Sequence, residues 1–580
     1  HIFRQTISVN AIKCCAIVHR IRQDEQQTIW KNNLRDGLQL SDEEVQRSKV
    51  INEKNVYPGM MFSLAKKRVE RTQLWQIVKR MPKGALLHAH LNAMVDLDFL
   101  FEMLLSTPDM HIYSETALAS PQLRATSTFK FRFMKSINTH QNESRKYPKT
   151  GSDYIILNSA GSKTENREEV GSSPSIWFAN YKPGTLIPVI QAADSFPNGG
   201  RPAFLKWLRV RCQITQQESI EHYNGVDDVW RKFLSIFPIL DSMLFYEPIF
   251  RRCINRIFAQ LHADGIRWVD FRLAFLFSYF QNDHNEPESD YGRMFQVFGE
   301  ELEKFKATEA GRGFWGSRII WTGIRALETR AIIEDMKACI KLKLAYPHLI
   351  SGYDLVGQED PGRPLKDFLP ELFWFREQCT SRGIEIPFFF HAGECLGDGS
   401  ETDQNLFDAI LLGTRRIGHG FSLYKHPLLM DLVKEKKILV ESCPISNEVL
   451  RLCSSVSAHP LPALLARGVS CSLSNDDPAI LGHESIGSSH DFWQALQGWD
   501  NLGLPGLASL AENSVRWAAF EDQSAEAWLQ DIQNGAQGTG LRATYLKKWH
   551  EEWEEFCLWV LTEFGLEAPS KSPMREMASA

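Results

Sequence analysis

The chain has 580 residues, of which 43% are hydrophobic and 23% are charged, and this composition excludes a disordered or fibrous protein. Its 65 basic and 71 acidic residues give a net charge of −6, so the chain as a whole is not a nucleic-acid-binding polycation. No apolar run approaches the roughly 18 residues that a membrane-spanning helix needs. We therefore expect a globular protein with a large core, no membrane span and no nucleic-acid partner.

The N-terminal part of the chain is charged and amphipathic, which predicts a helical segment within residues 1–80. Its first part, residues 1–25, lacks a clean helical pattern. The stretch Asn10–His19 is too short and too interrupted to form the core of a signal peptide. A breaker, Pro82-Lys83-Gly84, then separates this segment from the first apolar run.

Short apolar or β-rich runs recur after the breaker and are mostly separated by linkers long enough to form helices. Near-continuous apolar strands that alternate with helices indicate a parallel sheet covered by helices, which is an α/β fold. Eight such units predict a (β/α)8 barrel of the TIM type. The eight runs are Ala85–His90, Ile266–Phe275, Ser317–Ala326, Leu349–Gly357, Ile386–Glu394, Arg416–Gly420, Ile438–Pro444 and Val469–Pro478.

The gap between the first and second runs is far too long for one crossover connection. We therefore predict an inserted domain over residues 101–212, with the barrel formed by residues 81–100 and 213–565. Within the insertion, Thr128–Phe133 alternates apolar and basic residues, as a half-exposed strand does. Basic residues predominate over residues 122–150, which form either a solvated face or a patch for an anionic glycan.

The last part of the chain is helical by its pattern. Trp549, Trp553, Phe556 and Val560 recur at helical spacing, which predicts an amphipathic helix that packs its aromatic stripe on the body of the protein. Residues 566–580 are polar and have no apolar periodicity, so we expect a disordered tail there.

Polar side chains stand where the apolar runs end, and a barrel carries its chemistry at the carboxyl ends of its strands. The first run ends in His88-Ala89-His90, and because residues i and i+2 of a strand point to the same side, both imidazoles aim into the barrel mouth. The fifth run ends in His391 and Glu394, an imidazole and a carboxylate that suit a metal ligand and a general acid or base.

The sixth run contains Gly418-His419-Gly420, in which the glycines allow the backbone to approach a ligand closely. The eighth run ends in Asp476 and Asp477, and two buried neighbouring carboxylates repel each other unless a cation lies nearby. Each residue also has a structural alternative, as a core histidine or as a helix cap. Taken together, three imidazole nitrogens and one carboxylate oxygen make a suitable zinc set, which leaves Glu394, His419 and Asp477 for proton transfer and orientation.

Six strings of the chain resemble the adenosine/AMP deaminase superfamily of metal-dependent hydrolases and, within it, the adenosine-deaminase-related growth factor branch. The resemblance covers about residues 57–100 and 225–560. The strings are MPKGALLHAH (81–90), SGYDLVGQED (351–360), FFFHAGE (388–394), TRRIGHGFSLYKHP (414–427), VESCPISNEVL (440–450) and LSNDDPAILG (473–482).

The resemblance implies an enzyme, a zinc-dependent adenosine deaminase that hydrolyses adenosine, and also 2′-deoxyadenosine, to inosine and ammonia. It implies one zinc ion per chain. The residues that resemble the zinc ligands are His88, His90, His391 and Asp476.

The resemblance also implies roles for the residues around the metal. Glu394 resembles the residue that protonates purine N1, and His419 resembles the one that orients or deprotonates the attacking water. Asp477 resembles the partner of purine N7, and Gly357 resembles the backbone donor to N3. Asn92 lies near the place where the family usually offers an aspartate to the ribose 5′-hydroxyl. An amide repels a phosphate less than a carboxylate does, so AMP or another adenine nucleotide is an alternative substrate.

The branch implies an extracellular homodimer that dimerises through its N-terminal helices, with the cytoplasm as the alternative location. In the branch the insertion normally carries a cystine, but residues 101–211 of this chain contain no Cys. A second alternative function is that of an extracellular growth-factor-like or glycan-binding protein with secondary catalysis, for which the basic stretch would be the binding feature.

Overall fold

The computed structural model describes most of the chain, and its described residues are 8–30, 57–135, 175–221, 225–484 and 487–565. The predicted disordered tail over residues 566–580 lies outside the described residues. Residues 136–150 of the basic stretch also lie outside them.

The described residues form an α/β structure in which parallel strands alternate with helices, as the apolar runs predict. The strands are β1 (Gly84–His90), β2 (Met110–Tyr113), β3 (Lys130–Phe133), β4 (Ile187–Pro188), β5 (Ile266–Ala274), β6 (Gly316–Ile324), β7 (Ile350–Val356), β8 (His391–Ala392), β9 (Arg416–His419), β10 (Leu439–Ser442) and β11 (Cys471–Leu473).

Two four-stranded sheets are wholly parallel, in the orders β1-β5-β6-β7 and β8-β9-β10-β11. Isolated parallel bridges link Tyr353 to Phe388 and Ala89 to Asp476, so the two sheets adjoin at both pairs of edges. The fifth predicted run is a regular strand only at His391–Ala392, because its earlier part joins β7 through the Tyr353 bridge alone.

Helices lie between and around these strands. No helix among the described residues is both long enough and apolar enough to cross a membrane. The helices are α1 (Val9–Thr28), α2 (Phe62–Val69), α3 (Gln73–Arg80), α4 (Leu97–Ser106), α5 (Pro121–Thr126), α6 (Val189–Asp194), α7 (Gly200–Cys212), α8 (Gln216–Glu221), α9 (Val226–Leu244), α10 (Glu247–Ala263), α11 (Gly292–Lys306), α12 (Thr329–Ala345), α13 (Leu369–Ser381), α14 (Asn405–Leu411), α15 (Pro427–Glu435), α16 (Pro444–Val449), α17 (Leu461–Ala466), α18 (Ser489–Gly498), α19 (Gly503–Arg516), α20 (Ala525–Asn534) and α21 (Leu541–Phe564).

The first helix corrects the expectation that residues 1–25 lack a helical pattern, because α1 is regular over 20 residues. The Ser8 hydroxyl caps it by accepting the backbone N–H of Ala11 at 3.0 Å. Its buried face packs on α21. Because that face includes an arginine and a glutamate, the helical periodicity of its apolar residues is too weak to recognise in the sequence. That face consists of Ala11, Cys14, Val18, Ile21, Arg22 and Glu25.

The predicted C-terminal helix is confirmed, and its aromatic stripe is buried. Trp549, Trp553, Phe556 and Val560 all lie in the core. The indole N–H of Trp549 donates to the carbonyl oxygen of Pro82 at 3.2 Å, directly before β1. The two ends of the described chain therefore pack together on the side of the sheets where β1 begins.

A third, antiparallel sheet has the order β3-β2-β4 and belongs to the region of the predicted insertion. Strand β3 confirms the prediction that Thr128–Phe133 alternates between buried and exposed residues, since Phe129, Phe131 and Phe133 are buried. Between them, the guanidinium of Arg132 lies 5.5 Å from the ring centre of Phe280 and donates to a loop carbonyl, so it packs against the protein.

Candidate active site

The predicted polar residues lie together at the carboxyl ends of the parallel strands. His88 and His90 end β1, His391 begins β8, His419 ends β9 and Asp476 follows β11. The ring centre of His88 lies 4.5 Å from that of His391 and 4.7 Å from that of His419. The topology thus brings residues from distant parts of the chain to one point, as the barrel prediction requires.

A cavity of about 1010 Å³ opens above this point, which is the size of a small-molecule site. Several aromatic side chains contribute to its wall, among them Trp230, Phe245 and Phe277. Every predicted site residue except His88 lines the cavity, and His88 is fully buried behind it. The lining therefore includes His90, Asn92, Gly357, His391, Glu394, His419, Asp476 and Asp477.

Three imidazoles and a carboxylate are placed to share one ion. Asp476 Oδ1 lies 3.3 Å from His88 Nε2 and 3.3 Å from His90 Nε2. One ligand atom each from His88, His90 and His391 lies within 4.8 Å of the others. His88 Nε2 and Asp476 Oδ1 are buried without a hydrogen-bond partner, which costs about 1–3 kcal/mol per group unless a ligand satisfies them. This donor set fits a zinc ion.

Cys443 offers an alternative ligand atom on the far side of the cluster, where its sulfur lies near His88, His419 and Asp476. Burial and the charge of Asp476 raise the pKa of this thiol well above its ordinary value. Because the thiolate is the form that binds metals, this thiol is a poorer ligand than the imidazoles and the aspartate.

Carboxylates behind the cluster orient two of the imidazoles. His88 Nδ1 lies 2.8 Å from Glu441 Oε2, and His391 Nδ1 lies 2.6 Å from Asp354 Oδ2. A neutral imidazole that donates from Nδ1 presents the lone pair of Nε2, here toward the shared point. Such outer contacts commonly orient metal-binding histidines and raise their basicity.

These carboxylates stay charged because two buried arginines hold them. Arg272 donates to Asp354 at 2.8 Å and to Glu441 at 2.7 Å, and Arg416 donates to Glu441 at 2.5 Å. Burial alone would raise the pKa of Glu441, but the two arginines outweigh it and hold that pKa well below its ordinary value. Burial would also raise the pKa of Asp354. His391 and Arg272 outweigh that effect and hold the pKa of Asp354 well below its ordinary value.

Sequence reasoning did not identify this supporting network. A usable signal was present, since charged residues interrupt the apolar runs of the predicted strands. Such residues in a fully buried strand need buried partners of opposite charge. They are Asp270, Arg272, Asp354, Arg416 and Glu441.

Two acids in the cavity wall favour their protonated form. Burial raises the pKa of Glu394 well above its ordinary value, and the nearby charges of Asp476 and Glu359 add to this. Burial and the charge of Asp476 raise the pKa of Asp477 in the same way. In its protonated form, each side chain can donate a hydrogen bond to a ligand.

His419 is held in an unusual backbone conformation, with φ at +62°. The preceding glycine is required, because a Cβ atom at Gly418 would lie 2.8 Å from the His88 ring. His419 Nε2 lies 3.5 Å from Glu394 Oε1 and 3.7 Å from Asp476 Oδ2. Burial lowers the pKa of His419 well below its ordinary value, so the ring is neutral.

Beside Asn92, the cavity contains a carboxylate that the sequence did not reveal. Asn92 Nδ2 donates to Asp241 Oδ1 at 2.8 Å, and both residues line the cavity. Burial raises the pKa of Asp241 to about 7, although Asn92 and Lys130 partly offset it. The sequence feature that could have indicated it is the position of Asp241, an acidic residue within the largely apolar helix α9.

Comparison with known proteins identifies the family. The family model described as adenosine deaminase matches residues 211–534. An adenosine deaminase 2 from Homo sapiens is 29% identical over 509 residues, which are 87% of this chain and 84% of that protein. An adenosine deaminase from Aedes albopictus is 32% identical over 487 residues, which are 84% of this chain and 76% of that protein. A solved adenine deaminase from Arthrobacter aurescens has a TM-score of 0.46 at 15% identity and covers 79% of this chain and 100% of its own.

The matched region contains the strands β5 to β11 and most of the assembled site, and the similarity to the two relatives extends over most of the chain. The chain therefore belongs to the adenosine deaminase family, in the branch that contains the adenosine deaminase 2 proteins.

Proposed function

We propose that the chain is a hydrolytic deaminase that converts adenosine, and also 2′-deoxyadenosine, to inosine and ammonia. The observation that carries the proposal is the convergence of three imidazoles and one aspartate beside a buried glutamate whose pKa is raised. Relatives named adenosine deaminase support the same substrate.

One zinc ion per chain would be held by the three imidazole nitrogens and the aspartate oxygen described above. The unpartnered lone pairs of His88 and Asp476 support this assignment. When bound, zinc supplies Lewis acidity, which makes water a usable nucleophile near neutral pH.

The remaining residues would bind the purine and move protons. Glu394 would donate its proton to purine N1, which makes C6 more electrophilic. Asp477 would donate to N7, which is consistent with its raised pKa, since N7 is only an acceptor. The Gly357 N–H would donate to N3, and His419 would contact the attacking water from its Nε2 side.

The preference for nucleoside over nucleotide would follow from the pair of Asn92 and Asp241. The amide donor of Asn92 already binds the Asp241 carboxylate, so the pair offers an acceptor to a hydroxyl, and Asp241 in its ionised form repels a phosphate. AMP is the second candidate substrate, because Lys130 and Arg132 also line the cavity.

The test is a spectrophotometric assay of the purified protein with adenosine, 2′-deoxyadenosine, AMP and adenine at equal concentration. We expect adenosine and 2′-deoxyadenosine to react much faster than AMP. Equal or faster reaction of AMP would assign nucleotide deamination. No reaction with any of them in the zinc-loaded protein would reject the proposal and favour the signalling alternative.

We also infer that the eight parallel strands close into one (β/α)8 barrel. Support comes from the bridges Tyr353–Phe388 and Ala89–Asp476, which join the edges of the two sheets. The segments would be an N-terminal helical segment (1–80), the barrel (81–100 and 213–565) and an insertion after the first strand (101–212). The separate antiparallel sheet of β3, β2 and β4 supports the insertion.

Homodimerisation, an extracellular location and glycan binding stay predictions. The similarity to adenosine deaminase 2 proteins supports the first two. The basic side chains of β3 support glycan binding less, because both of them, Lys130 and Arg132, line the cavity.

A further inference from the structure

His419 turns one ring nitrogen to the cavity and the other to the protein interior. Its Nε2 lies on the side of Glu394 and Asp476, where the attacking water would be placed. Its Nδ1 lies 3.0 Å from Asn447 Nδ2 in the interior. A neutral imidazole carries its hydrogen on only one nitrogen, so the partner of Nδ1 decides whether Nε2 donates or accepts.

Asn447 joins two imidazoles. It is fully buried on α16, within the string VESCPISNEVL, and its Oδ1 lies 3.0 Å from His459 Nε2. A side-chain amide has two orientations that exchange its donor and its acceptor. The contact between Asn447 and His419 therefore does not by itself establish which ring nitrogen carries the hydrogen.

A backbone group removes this ambiguity. The N–H of Leu461, at the start of α17, donates to His459 Nδ1 at 3.0 Å. Because a backbone N–H can only donate, this nitrogen of His459 must hold a lone pair. Burial lowers the pKa of His459 to about 3, so the ring is neutral and its hydrogen is on Nε2. That hydrogen requires an acceptor, which is Asn447 Oδ1.

We infer that the Leu461 N–H, acting through His459 and Asn447, holds His419 in the tautomer with its hydrogen on Nε2. With its oxygen turned to His459, Asn447 must donate to Nδ1 of His419. His419 then presents a donor to the cavity, so it orients the attacking water and does not take its proton. The opposite amide orientation would place two donors against each other at His459, which is costly in a buried site.

Asn447 and His459 are thus positioning residues, since neither is among those that line the cavity. The inference rests on the proposed deaminase function for its meaning, but the tautomer itself can be measured without any turnover. This separates a failure of the inference from a failure of the proposed function.

The direct test is NMR of the wild-type protein labelled with 15N-histidine and supplied with zinc. The 15N chemical shift distinguishes a protonated ring nitrogen from one that holds a lone pair. We expect His419 and His459 each to carry the hydrogen on Nε2, with the His419→Gln and His459→Gln spectra assigning the signals. A hydrogen on His419 Nδ1 would overturn the inference, whether or not the protein deaminates adenosine.

The sharpest variant is Asn447→Asp, which keeps the side-chain size but can only accept. His419 should then adopt the tautomer with its hydrogen on Nδ1, so that Nε2 holds a lone pair. We expect kcat for adenosine to fall about 10²–10⁴-fold, with KM changed by less than about threefold and with zinc content and Tm retained. A variant with the reversed tautomer in its NMR spectrum and an unchanged kcat would show that His419 acts as a base.

A second pair of variants tests the outer contact. His459→Gln keeps a side-chain donor and should keep most of the activity, whereas His459→Phe removes the donor and should lower kcat about tenfold or more. The matched control is His490→Gln, a buried histidine that contacts Glu70 outside the cavity, and it should leave kcat unchanged. Equal kcat values for the two His459 variants would contradict the relay.

Discussion

Proton positions at the site depend on individual side chains and on their burial. Glu394 lies in the cavity wall close to other acids, so it holds a proton at a pH where an exposed glutamate is ionised. The pKa of Asp476 is shifted in the opposite direction. The surrounding histidines lower it by more than burial raises it. Adjacent acidic residues therefore differ, because Asp476 favours its ionised form, whereas Glu394 and Asp477 favour their protonated form.

Replacing Glu394 by Gln should nearly abolish turnover of adenosine, because the amide cannot supply a proton to N1. We expect kcat to fall about 10²–10⁴-fold while the zinc content stays the same. Steady-state kinetics and metal analysis of the same preparation measure both quantities. Retention of more than about a tenth of the activity would show that another group supplies the proton.

The pair of Asn92 and Asp241 leads to a prediction about substrate choice. Asp241→Asn removes the carboxylate and should lower kcat/KM for adenosine about 10- to 100-fold, while AMP turnover falls less or rises. Asp335→Asn is the control, since Asp335 is a buried, hydrogen-bonded acid that does not line the cavity. If the ratio of the two substrates did not change, Asp241 would not contact the 5′ end.

Each strand brings its site residues to the same end of the sheet, and the outer helices hold the strand ends in place. The N-terminal helix α1 contributes to this through Glu25, whose Oε1 accepts the backbone N–H of Leu74 at 2.7 Å. This contact ties α1 to α3, which leads directly into β1. A buried carboxylate at such a junction makes the stability of the assembly sensitive to pH.

Burial raises the pKa of Glu25 from its ordinary value of 4.5 to about 7, although the N–H groups of Leu74 and Gln73 lower it. The folded chain therefore retains a proton that the unfolded chain releases, and stability falls as the pH rises from about 4.5 to 7. Glu25→Gln should remove this loss and stabilise the protein at pH 8 by on the order of 1–3 kcal/mol, with little effect at pH 4.5.

Thermal unfolding at the two pH values measures this effect. The control is Asp24→Asn, which changes an exposed acid on the same helix. Because the charge of Asp24 is the smallest of the effects that act on the Glu25 pKa, the pH dependence should stay close to that of the wild type. A Glu25→Gln protein that gains equally at both pH values would show that the effect does not come from ionisation.

At the scale of the whole molecule, the candidate metal site and the charged residues buried in the parallel strands form one connected system. Arg272 contacts the carboxylates that orient His88 and His391, so residues of β1, β5, β7 and β10 depend on one another. A ligand that binds His88, His90, His391 and Asp476 would join strands at the meeting edges of both sheets. Metal binding should therefore stabilise the fold as well as permit catalysis.

Chelation should abolish deamination and lower Tm by several degrees, and added zinc should restore both. A ligand at a thousand times its Kd contributes about 4 kcal/mol of stability, which is enough for such a shift. Differential scanning calorimetry with parallel assays measures the effect, with Mg²⁺ as the control because it prefers oxygen ligands. Full activity in a protein shown to be metal-free would disprove the zinc assignment.

The sequence alone determined the strands and the residues at their ends, because those signals are local. His88 and His90 could be paired from the two-residue period of a strand, and the apolar runs predicted the parallel sheets and their order along the chain. The sequence did not predict a regular helix at residues 9–28, and the cause is again local. Two of its buried residues are charged, so they interrupt the apolar pattern.

Only the tertiary structure decided which atoms face one another and where the protons lie. Asp241 contacts Asn92 across 149 positions of the chain, and Glu441 contacts His88 across 353. The tautomer of His419 depends on a backbone N–H at Leu461 through two intervening side chains. Proton positions are set by burial and by neighbouring charges, and both arise only when distant segments pack together.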